Sequence, residues 1–325
     1  MNKAFRAVLT LLLIAALCCP ALSLGEDPAL TRDGPDQSDQ AAEPAGREIL
    51  IPLDQEVMAP IDERFYTGEL SYEDPTLSIS ITPGRDYETD YLVARIRIAN
   101  PTQLRAGTHG RRGNGKAYAD NIARRLNAVL AVNGDNFRYN KPGNPKKYIV
   151  RNQQEWLVEN WRERCYYDIL LIDENADLAI LKNPTRAEVD AYMAEHRILH
   201  TYCFGPALVI NGERQPKPEE SLKANGVGWT RAAQRVALCQ TGPLEYMIVV
   251  SAGPNNPKST GMTIDQFLDV VIAEGSPITA YNLDGGSSAW LVFRGAKQNV
   301  FGNNKSSNRA QISDIIYFAS AWSEE

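Results

Sequence analysis

The chain has 325 residues, of which 43% are hydrophobic and 23% charged, with 40 acidic against 34 basic side chains and a net charge of −6. An acidic balance without a basic stripe excludes the electrostatic footprint of a nucleic-acid binder. Only the first two dozen residues hold a sustained apolar run, and it is shorter than the roughly 20 residues a membrane span needs, which excludes an integral helical membrane protein.

That run follows Lys3 and Arg6, extends from Ala7 to Leu17, and is succeeded by the small-residue stretch Ala21-Leu22-Ser23. This is the anatomy of a secretory signal peptide over residues 1–23 and predicts a secreted or extracytoplasmic protein. A lipoprotein anchor at Cys18 or Cys19 is disfavoured, because bulky Leu17 and Cys18 stand where a small residue is expected. Residues 24–48 hold seven acids, two arginines, three prolines and no aromatic side chain. Such a stretch buries too little apolar surface to offset its ordering entropy, so an acidic disordered linker is expected.

The remaining residues, 49–325, are nearly charge-balanced and suit one large domain or two small ones; the continuous family resemblance given below favours one. Cys165, Cys203 and Cys239 are an odd set in apolar contexts. They read as small buried hydrophobes rather than a disulfide framework.

Leu77–Ile81 and Tyr91–Ile98 alternate apolar with polar residues, as half-buried strands do. The Gly-rich basic stretch 105–116 reads as a loop. Its Arg105, His109, Arg111, Arg112 and Lys116 form a solvated face or, alternatively, a lid for a polyanionic substrate such as a teichoic-acid-like polymer. Tyr118, Ile122 and Leu126 line one face of a helix over 117–127, and the apolar run 128–132 is a buried strand. Tyr167–Asp173 and Leu178–Leu181 flank a turn. Thr185 with Glu188 forms a capping box opening a helix, and Ala207–Ile210 runs into an Asn211-Gly212 hairpin turn.

Leu244–Val250 is a strand. Thr263 with Gln266 caps a helix whose stripe is Ile264, Phe267, Leu268, Val271 and Ile272, with Gly275 as the expected left-handed C-terminal residue. The strand Ile278–Leu283 follows at once. This strand–helix–strand unit predicts parallel neighbours joined by a crossover, and Ile312–Ala319 closes the fold. The expected class is α+β or α/β, a mixed sheet flanked by a few helices.

Two stretches share one design. Val132-Asn133-Gly134-Asp135 and Asn282-Leu283-Asp284-Gly285-Gly286-Ser287-Ser288 each place Asn and then Asp, with glycine adjacent, after an apolar strand. Either alone reads as a turn. Together they suggest a site at strand ends, with glycine N–H groups arranged as an anion nest and the serine hydroxyls as further donors.

These residues carry a resemblance. The segments AVNGDNF, FGPALVINGE, RVALCQ, GMTIDQF, AYNLDGGSSAWLVFRG and ISDIIYFA, in that order between Tyr72 and Ala319, resemble the phosphodiester glycosidase family. Departures are Ser287, where DGGGS is common, and the lack of a proline before Arg235. The resemblance implies hydrolysis of the bond between a sugar's anomeric carbon and a phosphate diester. The implied catalytic residues are Asp135, Asp284 and Arg235: the guanidinium grips phosphate bidentately, and the aspartates face the oxocarbenium-like carbon or activate water. Gly285, Gly286 and Ser287 would share the phosphate charge. Asn133 and Asn282, beside Gly134 and Ser288, would hold sugar hydroxyls. The expected partner is a sugar phosphodiester or a phosphate-containing glycopolymer, without nucleic acid or a membrane span.

No cofactor is called for, although Asp135 and Asp284 are also a donor pair for a divalent cation. His196 and His200 lack the pattern of a zinc site, Cys203 with His200 lacks a third orienting group, and Trp229 and Trp290 read as core aromatics before sugar platforms. Two rival functions are a non-catalytic cell-surface glycan binder and a phosphodiesterase that leaves phosphate on the sugar.

Overall fold

A computed structural model describes residues 46–110, 115–135, 148–158, 165, 167–218, 227–300 and 309–324. The expected signal peptide, the linker as far as residue 45, and Arg111 and Arg112 lie outside the described residues. Strands and helices are numbered in chain order.

The largest sheet has eight strands in the order β13 (Glu213–Arg214), β12 (Ala207–Ile210), β16 (Thr279–Leu283), β14 (Val236–Gly242), β15 (Glu245–Ser251), β4 (Thr89–Ile98), β3 (Leu77–Asp86) and β2 (Ser71–Asp74). A five-stranded sheet runs β18 (Ala296–Lys297), β17 (Leu291–Phe293), β6 (Leu130–Asn133), β19 (Asp314–Phe318), β5 (Leu104–Thr108). A three-stranded sheet, β10 (Leu178–Leu181), β9 (Ile169–Asp173), β11 (Ile198–Cys203), lies beside the hairpin of β7 (Tyr148–Arg151) and β8 (Gln154–Val158). Arg47 and Glu48 of β1, at the end of the expected linker, pair with Ser323 and Trp322 of β20.

Alternation along the strands sets the layers. Ile79, Ile96, Val132, Leu238, Ile248, Leu291 and Ile316 share one buried cluster between the eight- and five-stranded sheets. The opposite face of the large sheet, including Val93, Ala237, Met247 and Val249, packs on Phe267, Leu268 and Val271 of a helix spanning Ile264–Gly275. The opposite face of the five-stranded sheet, with Ala131, Val292 and Ile315, packs on Ile122 and Leu126 of α1 (Ala119–Leu126). Helix α2 (Arg186–Glu195) buries Val189 against the smaller strands, and the helix over Ile264–Gly275 is α3. The result is an α+β fold, as expected.

Both capping boxes form, with Thr185 and Thr263 accepting from the N–H groups of Glu188 and Gln266. Asn211 and Gly212 both have positive φ, 52° and 77°, the pair of values a two-residue hairpin turn demands.

Four expectations are corrected. The β15–α3–β16 crossover is present, but its strands are not neighbours. β14 turns back from β15 as a hairpin and occupies the place between them, with Val236 opposite both Val250 and Leu283. Every pairing among the described residues is therefore antiparallel rather than mixed. The left-handed residue closing α3 is Ser276, φ 42°; at Gly275 a Cβ would lie 2.9 Å from the Met247 sulfur. Arg105 belongs to strand β5, not to a loop, and is buried. Its guanidinium donates to the carbonyls of Thr102 at 3.1 Å, Pro52 at 3.0 Å and Gln55 at 2.9 Å. It is a tether for the N-terminal segment and takes no part in a lid.

Candidate functional site

The two Asn–Asp motifs end strands of different sheets, and Asn133 ties those ends together. The Asn133 amide donates to the Asp284 carbonyl at 2.9 Å, and its oxygen accepts from the Trp290 N–H at 3.0 Å. The Asn282 amide donates to the Gly205 carbonyl at 2.7 Å. Both side chains are 1% exposed. The role expected for them, holding sugar hydroxyls, is corrected: they are buried cross-links that fix where the motif loops leave the sheets.

Past Asn133 the chain enters a dry charged knot. Gly134 lies under Asp314, where a Cβ would stand 2.6 Å from the carboxylate, so only glycine fits. The Asp135 N–H donates to Asp314 Oδ1 at 2.9 Å, and Asp135 Oδ2 accepts from the Cys203 N–H at 3.0 Å. Arg151 reaches both carboxylates, Asp314 at 2.6 Å and Asp135 at 3.5 Å. The guanidinium also stacks on the Tyr202 ring, 4.1 Å from its centroid. Two carboxylates sharing one cation leave a net negative charge in a dry site. Burial, with Asp135 alongside, pushes the Asp314 carboxyl up to about 7, even though Arg151 pulls it down. Burial works against the charge on Arg151, but Tyr202, Asp314 and Asp135 outweigh it and raise its pKa.

Past Asn282 the surroundings are open. Asp284 is half-buried, and Gly286 and Ser287 are exposed. Gly285 abuts the Gln234 carbonyl so closely that a Cβ would stand 2.3 Å from it. The Gly286 N–H donates to that same carbonyl at 3.0 Å, so of the expected nest this donor is already committed. Gly286 and Ser287 edge a cleft of about 720 Å³ whose other walls include Arg231, Gln234, Asn255, Lys297, Arg309 and Asp120. Ser288 follows in a single 3₁₀ turn.

Arg235 is corrected most sharply. Its guanidinium donates to the carbonyls of Met262, Val227, Gly228 and Arg231 at 2.6–3.1 Å, and the residue is 4% exposed. The expected bidentate grip on phosphate is replaced by a scaffold for the loop that carries Arg231 to the cleft. Burial, and Arg231 beside it, lower its pKa to about 10.

The remaining candidates fall to structure. His200 is buried with its Nδ1 accepting from the Asn152 N–H at 3.3 Å, and burial beside Arg151 and Arg105 depresses its pKa. His196 caps α2 and stacks on Tyr192, so the two histidines share no helix face. Cys165, Cys203 and Cys239 are free and buried. Trp229 and Trp290 are core residues bonded to Asp265 and the Ala310 carbonyl. Among the described residues no cluster of three or more His, Cys, Asp or Glu forms a metal site, and the cation beside Asp135 is Arg151.

Sequence reasoning missed Arg151, Asp314, Arg231, Lys297 and Arg309. Asp314 and Arg151 were findable in principle. Each is a charge in a strand that is otherwise apolar, and a buried charge requires a partner. The cleft cations carry no such signal, since nothing in sequence gathers them.

Antiparallel sheets packed face to face, with the Asn133 and Asn282 motifs meeting where two strands end, define an α+β architecture shared with solved proteins. The catalytic domain of zebrafish N-acetylglucosamine-1-phosphodiester alpha-N-acetylglucosaminidase, auto-inhibited by its pro-peptide, superposes with a TM-score of 0.59 at 18% identity, covering 76% of this chain and 85% of that one. A hypothetical protein from Synechocystis superposes with a TM-score of 0.50 at 16% identity, covering 74% of this chain and 62% of that one. No curated protein matches the chain in sequence. The sequence profile of the phosphodiester glycosidase family matches residues 126–319, and the chain belongs to that family. Among the described residues no helix is long and apolar enough to cross a membrane.

Proposed function

We propose that the protein is an exported hydrolase that cleaves the bond between the anomeric carbon of a sugar and a phosphate diester. The observation that carries this reading is the cationic cleft whose edge, Gly286 and Ser287, lies two residues beyond Asp284 at the end of β16. Departure of a phosphodiester anion needs little protonation; it needs its charge met. Arg231 and Ser287, both on the cleft wall, supply that in place of Arg235. Positive charge grows on the anomeric carbon as its bond to oxygen breaks. Asp284, half-buried two residues before the cleft-lining Gly286, stabilises it or takes the proton of the attacking water. Asp135, held by Cys203 and Arg151, supports the second strand end. Membership of the family and the substrate named for the zebrafish relative support a sugar-1-phosphodiester as the substrate class, and the N-terminal signal-like segment supports export.

The test is a panel of sugar-1-phosphodiesters incubated with the purified protein, reading free sugar against sugar phosphate. Release of free sugar together with an intact phosphate monoester is the expected result. Sugar phosphate as product would establish cleavage on the other side of phosphorus. Binding without turnover would establish a glycan-binding role.

A further inference from the structure

With Asn133 and Asn282 committed to the fold, the two strand-end motifs leave the sugar hydroxyls without a partner. The cleft supplies one. Asp120 and Arg309 line it together with Gly286 and Ser287. Arg309 Nη2 donates to Asp120 Oδ2 at 2.6 Å, and the two side chains are 41% and 11% exposed. The pair stands close to Ser287: the N–H of Ala310, the residue after Arg309, donates to the Ser287 carbonyl at 2.9 Å. Both partners are held in place. Asp120 Oδ1 accepts from the Asn121 N–H at 2.9 Å, and the Arg309 guanidinium lies 4.9 Å from the centre of the Tyr118 ring and 5.2 Å from that of Trp290.

These contacts leave further lone pairs on the Asp120 oxygens and further N–H donors on the Arg309 guanidinium. A carboxylate only accepts and a guanidinium only donates. Side by side they match two neighbouring hydroxyls, one donating to Asp120 and the next accepting from Arg309. Charge makes such hydrogen bonds strong, and a ligand without the hydroxyls leaves the charged groups unpaired. The opposite charges of the pair offset each other, which suits an uncharged sugar ring, while Arg231 and Ser287 meet the phosphate. Asp120 precedes residues 126–319, which match the family profile, so membership of the family assigns it no role.

We propose that Asp120, braced by Arg309, selects the sugar: its carboxylate accepts from one hydroxyl of the glycosyl group whose phosphate meets Arg231 and Ser287, and Arg309 donates to the neighbouring hydroxyl. The proposal rests on the hydrolase reading for the class of substrate, but its test does not require turnover.

The probes are the monomethyl esters of α-C-glucosyl, α-C-galactosyl and α-C-mannosyl methylphosphonate, in which carbon replaces the glycosidic oxygen so that hydrolysis is blocked. Dimethyl phosphate, with the same single charge and no sugar, is the reference. Binding of each to the full chain is followed by calorimetry. At least one glycosyl probe binds about tenfold or more tighter than dimethyl phosphate, the gain expected of hydrogen bonds to charged groups. Asp120→Asn removes most of that gain without weakening dimethyl phosphate, whereas loss of a merely structural residue weakens both probes alike. Arg309→Gln, at the more exposed partner, lowers the same ratio of affinities. Thermal melts verify folding, and either variant carries the test alone. A wild-type ratio near one for all three sugars, or a ratio unchanged in a folded variant, overturns the proposal. If the ratio depends on Asp120 yet no diester in the panel is hydrolysed, the catalytic reading fails and the sugar seat stands. If Asp120→Asn hydrolyses diesters with wild-type kcat/KM, the sugar seat fails and the catalytic reading stands.

Discussion

The ends of β6 and β16 carry nearly the same residues, yet one leads into a buried knot and the other toward an open cleft. After Asn133, Asp135 is 5% exposed and shares Arg151 with Asp314. After Asn282, Asp284 stays half-buried beside a cleft edged by Gly286 and Ser287. Local sequence set the turn and the close backbone approach in both places. Tertiary partners set the environment: β19 and β7 lay Asp314 and Arg151 over one end, while Gly286 and Ser287 stay exposed at the other. The lesson is that a strand-end aspartate is a placement, and its chemistry comes from what packs on it.

The comparison breaks most visibly at Arg151. Replacing it by leucine leaves two carboxylates buried without their cation, and a loss of about 3–5 kcal/mol of unfolding free energy is expected by urea titration. A loss below about 1 kcal/mol would mean that the knot is wetter than described. Next come the two glycines that admit close neighbours. Gly285→Ala drives a methyl group against the Gln234 carbonyl and Gly134→Ala drives one against Asp314, each expected to cost about 1–3 kcal/mol by thermal melting.

The knot also has a pH signature that the cleft lacks. The Asp314 carboxyl titrates near 7 in the folded protein against an ordinary value of 3.8, so between those values the folded state holds a proton that the unfolded state has released. Stability contributed at Asp314 is thus highest below about pH 4 and is lost as pH rises toward 7, by up to about 1.4 kcal/mol per pH unit. Arg151 and Asp135 face the group and set that range. The difference in unfolding free energy between wild type and Asp314→Asn, followed from pH 4 to 8, should fall and then level off. A flat difference would show that Asp314 is ionised throughout.

Much of the fold was legible in the residues. Alternation gave β3 and β4, the capping boxes gave the starts of α2 and α3, and Asn211-Gly212 gave its hairpin, because each depends on neighbours a few positions away. The insertion of β14 between β15 and β16 was not legible, since crossover rules say that two strands are parallel and not what lies between them. The same limit applies at the site. The NGD and NLDGG segments marked both strand ends, but Arg235 read as a phosphate ligand because sequence cannot show that four backbone carbonyls surround it. Arg105 read as part of a loop because glycines followed it, although β19 pairs the segment into a sheet.

The measurement closest to the centre of this account is sugar release by Asp284→Asn from whichever sugar-1-phosphodiester the wild type hydrolyses. A general acid–base or charge-stabilising carboxylate is worth about 10²–10⁴-fold in rate, so a loss of that size with an unchanged melting temperature is expected. Wild-type turnover in a folded Asp284→Asn protein would contradict the placement of the reaction at the end of β16.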